Sequence, residues 1–123
     1  VAGVDVDFPI IADEDRSVSQ AYDMIHPGEG DTSTVRSVFR IDPSNTVRLT
    51  ITYPKSVGRN FTEILRALDA LQATDRSPIS TPAEWVPGDR VIVAPAIATD
   101  DARERFANVD EVKPYLRFAD APA

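Results

Sequence analysis

The stretch TVRSVFRIDPSNTVRLTITY, residues 34–53, carries the clearest fold signal of the chain. Turn-forming residues, Asp42-Pro43-Ser44-Asn45, separate two runs in which apolar and polar residues alternate. The apolar residues of each run share one face: Val35, Phe39 and Ile41 in the first, and Val47, Leu49, Ile51 and Tyr53 in the second. This pattern predicts a β-hairpin with one buried face and one wetter face.

A helix is predicted to begin shortly after the hairpin ends at Pro54. Asn60 is a good N-cap residue, and Glu63 stands where a capping box places its acid. An apolar stripe then recurs at helical spacing, formed by Phe61, Ile64, Leu65, Leu68 and Leu71. We expect this stripe to pack the helix onto the rest of the domain.

Weaker patterns lie before the hairpin. Residues Val4–Ile11 alternate and then become apolar, which predicts a short strand. Ser17 followed by Gln20 fits a capping box, so a short helix is expected to start there and to stop by Pro27.

The composition of the sequence changes after Asp75, where prolines become frequent. Val86-Pro87-Gly88-Asp89 predicts a type II turn, and Arg90–Ala94 and Tyr115–Phe118 predict short strands. Thr99 is expected to cap a brief helix whose early acids and late arginines suit the helix dipole. We interpret residues 76–123 as an arm with little core of its own.

The bulk composition excludes several classes of function. The chain of 123 residues has a net charge of −7, which argues against nucleic acid or an anionic membrane as its main partner. No apolar run approaches the ~18 residues of a membrane span, and no signal-peptide pattern is present, so we expect a cytoplasmic protein. Without any cysteine, this chain has neither disulfides nor thiol chemistry of its own.

Four stretches together resemble the one-cysteine peroxiredoxins, in the order in which that family has them: DFPIIADEDRSVSQAYDM, TVRSVFRIDPSNTVRLTITYP, SVGRNFTEILRALDALQ and TPAEWVPGDRVIV. The resemblance implies an α/β fold: the C-terminal part of a thioredoxin-like domain, a β-hairpin plus a packed helix, followed by the C-terminal extension of this subclass. Accordingly, we expect the thioredoxin-like part at residues 1–75 and the extension, a dimerisation arm, at residues 76–123.

The resemblance also implies a thiol-dependent peroxidase that reduces hydrogen peroxide and organic hydroperoxides. The family's Pro-x-x-x-Thr/Ser-x-x-Cys motif is absent, so this chain alone is predicted to be inactive. Thr81 stands where two-cysteine relatives carry a resolving cysteine, in Thr81-Pro82-Ala83-Glu84-Trp85. An external thiol would therefore have to reduce the sulfenic acid.

Arg59 is the candidate catalytic residue. Before the resemblance is considered, two interpretations of a cation just before a helix are open. Either the side chain is solvated, or it binds an anion together with the free N–H groups of the helix N-terminus. Within the resemblance, Arg59 matches the family's active-site arginine, which binds peroxide and keeps the sulfur as thiolate. A fixed cation lowers a thiol pKa, and a guanidinium can stabilise the charge on the leaving oxygen. No cofactor and no metal are implied.

The family also implies a homodimer, formed through the edge strand Val47–Tyr53 and the C-terminal arm. The strand has no proline inside it, so its edge can pair. Three other features are interpreted as structural. His26 is expected to make a loop contact, and with Glu29 alone it makes no metal site. Asp13-Glu14-Asp15 is expected to be solvated and to precede a helix, and Trp85 to anchor the arm to the main domain or to a partner subunit. An alternative function remains open, namely a non-catalytic dimerisation or interaction module derived from a peroxiredoxin.

Overall fold

The computed structural model describes residues 3, 5–31 and 33–122, without the side chain of Glu29. Two compact units are present, Val1–Arg59 and Asn60–Ala123. The first holds helix α1 (Ser17–Ala21), a 3-10 turn (Pro27–Glu29) and strands β1 (Arg36–Ile41) and β2 (Val47–Tyr53). The second holds α2 (Phe61–Arg76), β3 (Ile79–Ser80), β4 (Val91–Val93), α3 (Thr99–Arg105), β5 (Asp110–Lys113) and β6 (Leu116–Ala119).

Strands β1 and β2 form the predicted antiparallel hairpin. The carboxylate of Asp42 accepts the backbone N–H groups of Ser44 and Thr46 at 2.9 and 3.0 Å, which closes the turn. Asn45 takes a left-handed conformation with φ 60°, which asparagine tolerates better than most residues.

The predicted buried and wetter faces are confirmed for β2, where Leu49, Ile51 and Tyr53 are half-buried and Arg48, Thr50 and Thr52 are exposed. The face of β1 that was predicted to lie beside the buried one is wrong. Ser37 pairs with Thr52, and their hydroxyl oxygens lie 3.0 Å apart, so the face of Ser37 and Phe39 is the threonine face of β2. Val38 pairs with Ile51 and lies on the opposite side. Apolar side chains therefore lie on both sides of the hairpin, because the pairing register, which the alternation of a single strand does not specify, decides which faces coincide.

Two predictions before the hairpin also need correction. Residues 5–11 form no strand, since nothing in the described part of the chain pairs with them, and Val4 lies outside the described residues. Helix α1 forms, but Ser17 is its first residue and not its cap. The Asp13 carboxylate instead accepts the N–H groups of Val18 and Ser19 at 2.9 and 2.8 Å, as well as the Ser19 hydroxyl.

The second unit contains a four-stranded sheet in the order β3-β4-β6-β5, in which every neighbouring pair is antiparallel. A core of buried side chains packs around it: Ile79, Trp85, Val91, Val93, Ala102, Phe106 and Ala119. The prediction that residues 76–123 have little core of their own is therefore wrong. The short strands and prolines hide this core from a periodicity analysis, because its members come together only through the strand order.

Helix α2 joins this core through its small residues. Ala67 is buried, and Ala70 and Ala73 pack against the core cluster. Two residues of the predicted apolar stripe are largely exposed, Phe61 at 69% and Leu65 at 60%. The packing face of α2 within its own unit is thus the alanine face beside the predicted stripe.

Several local predictions for the second unit are confirmed. Asp89 N–H donates to the Val86 carbonyl at 3.0 Å, and Gly88 has φ 101°, the conformation that a type II turn requires at that position. Strands β4 and β6 lie within one residue of their predicted positions. Helix α3 has the predicted charge order, although its N-cap is Ala98 and not Thr99. The division into 1–75 and 76–123 follows the family and stays a prediction.

Candidate active site

Arg59 lies at the end of the segment that follows β2. The segment begins with a turn in which Val57 N–H donates to the Pro54 carbonyl at 2.9 Å. Lys55 forms an ion pair with Asp31 at 3.2 Å, which ties this turn to the loop before the hairpin. The Arg59 side chain is exposed and has no ion-pair partner among residues 3, 5–31 and 33–122. A solvated, uncompensated guanidinium of this kind is able to bind an anion.

The residue after Arg59 caps helix α2 as predicted. Asn60 has an extended backbone, and its side-chain oxygen accepts the Glu63 N–H at 3.1 Å. The Glu63 carboxylate does not make the capping-box hydrogen bond that was predicted for it. Both Glu63 oxygens accept from Arg66, at 2.6 Å from Nε and 2.9 Å from Nη2, and this pairing lowers the pKa of the Glu63 carboxyl.

Arg66 also fastens the segment in which Thr81 lies. Its Nη1 donates to the Trp85 carbonyl oxygen at 3.1 Å. Trp85 is only 4% exposed, and its indole N–H donates to the Asp89 carbonyl at 3.1 Å. The anchor predicted for Trp85 is therefore found, but within the core of its own unit. Glu84 beside it has φ 62°, a left-handed conformation uncommon for residues other than glycine.

Arg36 is a second arginine that could bind an anion, and no sequence pattern pointed to it. Arg36 begins β1, pairs with Tyr53 at the end of β2 and is half-buried. It has no ion pair in the described part of the chain. Like Arg59, Arg36 is thus a cation without a counter-ion among the described residues, although the protein covers part of it. Its place at the start of a strand gave no local signal in the sequence.

The other residues considered as candidates from the sequence form no catalytic cluster among the described residues. A depression of about 520 Å³ beside α1 is lined by Asp13, Arg16 and Thr34 among others, but the Asp13 carboxylate is occupied by the helix N–H groups. The His26 ring contacts the Asp23 carbonyl at 3.0 Å, and the Glu29 side chain lies outside the described residues. Among the described residues, no group of three His, Asp or Glu could hold a metal ion. No helix in the described ranges has the length and apolarity to cross a membrane.

Comparison with known proteins identifies the family. Residues 70–108 match the family model for the C-terminal domain of 1-Cys peroxiredoxin. The chain is 48% identical to the mitochondrial peroxiredoxin PRX1 of Saccharomyces cerevisiae, over 92% of this chain and 46% of that protein. It is also 48% identical to the 1-Cys peroxiredoxin of Dictyostelium discoideum, over 97% of this chain and 50% of that protein. The chain belongs to the one-cysteine peroxiredoxin family.

Solved peroxiredoxin structures confirm the fold class. A structure of the yeast mitochondrial 1-Cys peroxiredoxin, described with its thiol resolving mechanism via glutathione and thioredoxin systems, superposes with a TM-score of 0.83 at 47% identity. It covers 94% of this peroxiredoxin chain and 57% of that structure. A mutant of peroxiredoxin 6 of Arenicola marina gives a TM-score of 0.86 at 41% identity, over 98% of this chain and 59% of the other. The chain spans about half the length of the curated relatives it matches.

This peroxiredoxin chain provides an exposed arginine but no cysteine. Arg59 is exposed and has no counter-ion in the part of the chain that the structure describes, and Asn60, the N-cap of α2, follows it in the sequence. The 123 residues include no cysteine, so the sulfur that such a guanidinium would serve is not in this chain. An exposed guanidinium of this kind is able to bind an anionic group.

Proposed function

We propose that the chain acts as the C-terminal portion of a thiol-dependent peroxidase that reduces hydrogen peroxide and small organic hydroperoxides. The remaining portion, with the nucleophilic cysteine, would precede this sequence in a longer polypeptide, called the full-length peroxidase below. The observation that carries the proposal is the 48% identity to a 1-Cys peroxiredoxin over 97% of the chain, with Arg59 unpaired among the described residues.

Arg59 would have two tasks in the proposed reaction. Its positive charge favours the thiolate over the thiol, which lowers the cysteine pKa and raises the fraction of nucleophile at neutral pH. The thiolate attacks one peroxide oxygen, the O–O bond breaks, and the sulfur becomes a sulfenic acid while the other oxygen leaves as an alkoxide or hydroxide that takes up a proton. A guanidinium next to the leaving oxygen stabilises its developing charge and stays protonated at working pH.

An external thiol would complete the cycle. It attacks the sulfenic sulfur to form a mixed disulfide and water, and a second thiol reduces that disulfide. Thr81 supports this route, because the position that resembles the resolving cysteine of two-cysteine relatives has a hydroxyl here. The yeast relative's structure is described with glutathione and thioredoxin systems, so small thiols and dithiol proteins are the first reductants to assay.

We propose a homodimer for the full-length peroxidase, through the strand Val47–Tyr53 and the C-terminal arm. In the described residues, β2 pairs with β1 along one edge and with no strand along the other. An unpaired edge without proline is able to add a strand from a second copy. Sedimentation at micromolar concentration that shows only monomer would contradict the dimer.

A cytoplasmic location and a role in redox homeostasis stay predictions. The yeast relative is named as mitochondrial, so cell fractionation with an antibody to the native protein is needed to locate it.

The proposed function is tested by peroxide consumption with a dithiol reductant. The 123-residue chain should consume no peroxide above the buffer rate, whereas the full-length peroxidase should turn over and lose activity when its cysteine is alkylated. Peroxide reduction by the chain alone would contradict the proposal. A gene that starts at Val1, with no upstream cysteine motif, would instead favour the non-catalytic module.

A further inference from the structure

Glu63 is the acidic residue that could form an ion pair with Arg59. It is the only Asp or Glu within four positions of Arg59 on either side in the sequence. Four residues of chain extend at most about 14 Å, and both side chains are long, so the covalent connection alone keeps the two charges within reach of each other. An ion pair between them would neutralise the guanidinium on which the proposed peroxidase depends.

In the structure, both oxygens of Glu63 are occupied by another arginine. Arg66 donates from Nε to Oε2 at 2.6 Å and from Nη2 to Oε1 at 2.9 Å, a two-bond fork. Charge-assisted forks of this kind are among the stronger hydrogen-bonded pairs. Because Arg66 also lowers the pKa of the Glu63 carboxyl, Glu63 is fully ionised at neutral pH.

A third bond holds the Arg66 guanidinium in place. Its Nη1 donates at 3.1 Å to the carbonyl of Trp85, a residue that is 4% exposed in the core of the second unit. With one amino group fixed to a rigid carbonyl, the other edge of the guanidinium keeps its orientation toward Glu63. Another i,i+3 ion pair, Asp100–Arg103 at 3.4 Å, lacks such an anchor, because the second partner of Arg103 is the Glu111 carboxylate at 3.6 Å and not a buried residue's carbonyl.

We infer that Arg66 is a positioning residue that occupies the Glu63 carboxylate, so that Glu63 does not pair with Arg59 and the Arg59 charge stays available to thiolate and peroxide. This inference rests on the proposed peroxidase function. Arg66 acts through Glu63 and touches neither the sulfur nor the peroxide. Removing Arg66 leaves the Glu63 carboxylate unpaired four positions from Arg59 in the chain, whereas removing the Glu63 charge as well eliminates that competitor.

The test is a rescue experiment in the full-length peroxidase. Arg66→Ala should lower kcat/KM for hydrogen peroxide about fivefold, the effect of an exposed ion pair at the upper end of its range, and should raise the cysteine pKa measured by the pH dependence of alkylation. The double variant Arg66→Ala with Glu63→Gln should return both quantities to within about twofold of wild type. Arg103→Ala, the matched control, should change neither.

A purely structural role for Arg66 gives the opposite pattern. It would lower the melting temperature of Arg66→Ala, and the second substitution would not restore kcat/KM or the cysteine pKa. That result, or an Arg66→Ala variant with wild-type kinetics, would overturn the inference. If Arg66→Ala does not fold, Arg66→Gln, which retains a donor for the Trp85 carbonyl, replaces it in the same comparison. A folded wild-type full-length protein without peroxidase activity would overturn the proposed function itself.

Discussion

Arg117 Nη1 donates to the carbonyl oxygen of Ile97 at 2.5 Å, deep in the second unit. Nη2 donates to the Ala94 carbonyl at 3.2 Å, so this guanidinium fastens the loop between β4 and α3 to strand β6. The side chain is 1% exposed, and its Nε is buried without a hydrogen-bond partner. The carbonyl dipoles of Ile97 and Ala94 stabilise the buried charge, and the same two hydrogen bonds fix the position of the loop.

We expect Arg117→Met to lower the free energy of unfolding by about 2–4 kcal/mol, since it leaves the partly buried Ile97 carbonyl without the Arg117 donor. Urea unfolding monitored by circular dichroism measures this. Arg105→Met, an exposed position in the last turn of α3, should stay within about 0.5 kcal/mol of wild type. Equal midpoints for the two variants would show that the buried guanidinium contributes nothing.

Asp13 should make the stability of the chain sensitive to acid. Its hydrogen bond with the Ser19 hydroxyl, and further bonds from the Val18 and Ser19 N–H groups, hold the pKa of the Asp13 carboxyl below its ordinary value. A depressed folded-state pKa means that the stabilisation is complete above the unfolded value of about 3.9 and is lost as pH falls through the folded value. Thermal melts of wild type and Asp13→Ala should therefore differ at pH 6 and converge well below pH 4.

The exposed acid Asp7 provides the control for this experiment. Asp7→Ala should melt with wild type at both pH values, because Asp7 is outside the hydrogen bonds that cap α1. A difference between wild type and Asp13→Ala that grows as the pH falls would contradict the sign of the effect.

Trp85 is the single tryptophan of the chain and lies in the buried core cluster of the second unit. Its fluorescence should be blue-shifted in the folded chain and move to longer wavelength on unfolding of the second unit. Trp85→Phe removes the indole bond to the Asp89 carbonyl and part of the core volume, so we expect a loss of about 1–3 kcal/mol. Tyr115→Phe, at an exposed tip, should leave the urea midpoint unchanged.

Arg59→Ala in the full-length peroxidase should lower kcat/KM for hydrogen peroxide by about 100-fold, the usual cost of removing a donor to a developing oxyanion. Arg59→Lys keeps the charge but loses the planar fork, so we expect an intermediate rate. Stopped-flow measurement of peroxide consumption determines both. The exposed Arg76 at the end of α2 serves as the control, since Arg76→Ala should react as wild type does.

Arg36 provides the decisive comparison for the site. If the Arg36 guanidinium also contacts the substrate, Arg36→Ala should lower kcat/KM by a similar factor. Full activity of Arg59→Ala together with a large loss in Arg36→Ala would move the peroxide-binding role from Arg59 to Arg36.

Local patterns predicted the elements whose partners are close in sequence. The hairpin follows from alternation around a turn that Asp42 closes over two to four residues, and α2 starts where Asn60 can reach the Glu63 N–H three residues away. In contrast, the cap of α1 comes from Asp13 and not from Ser17, because an upstream loop brings its carboxylate back to the helix. That loop has no signature in the residues of the helix itself.

For the candidate site as well, some features were predicted from the sequence and others required the tertiary structure. Arg59 was found from its position before a capped helix and from the family resemblance, but neither indicates what the neighbouring charges do. The fork between Glu63 and Arg66 has an ordinary helical spacing, and only its third bond, to a carbonyl 19 residues further along the chain, shows that the guanidinium is fixed. Arg36 became a candidate only when its burial and its register opposite Tyr53 were known.

By itself, the sequence determined the hairpin, the start of α2, the family and the absence of a sulfur nucleophile from this chain, since each depends on residue types at short spacings. The tertiary structure decided which hairpin faces coincide, that α2 packs through alanines, and that residues after Asp75 build a core around Trp85. Those features depend on strand register and strand order, and the contacts that set them join residues far apart in the chain, where local propensity carries no information.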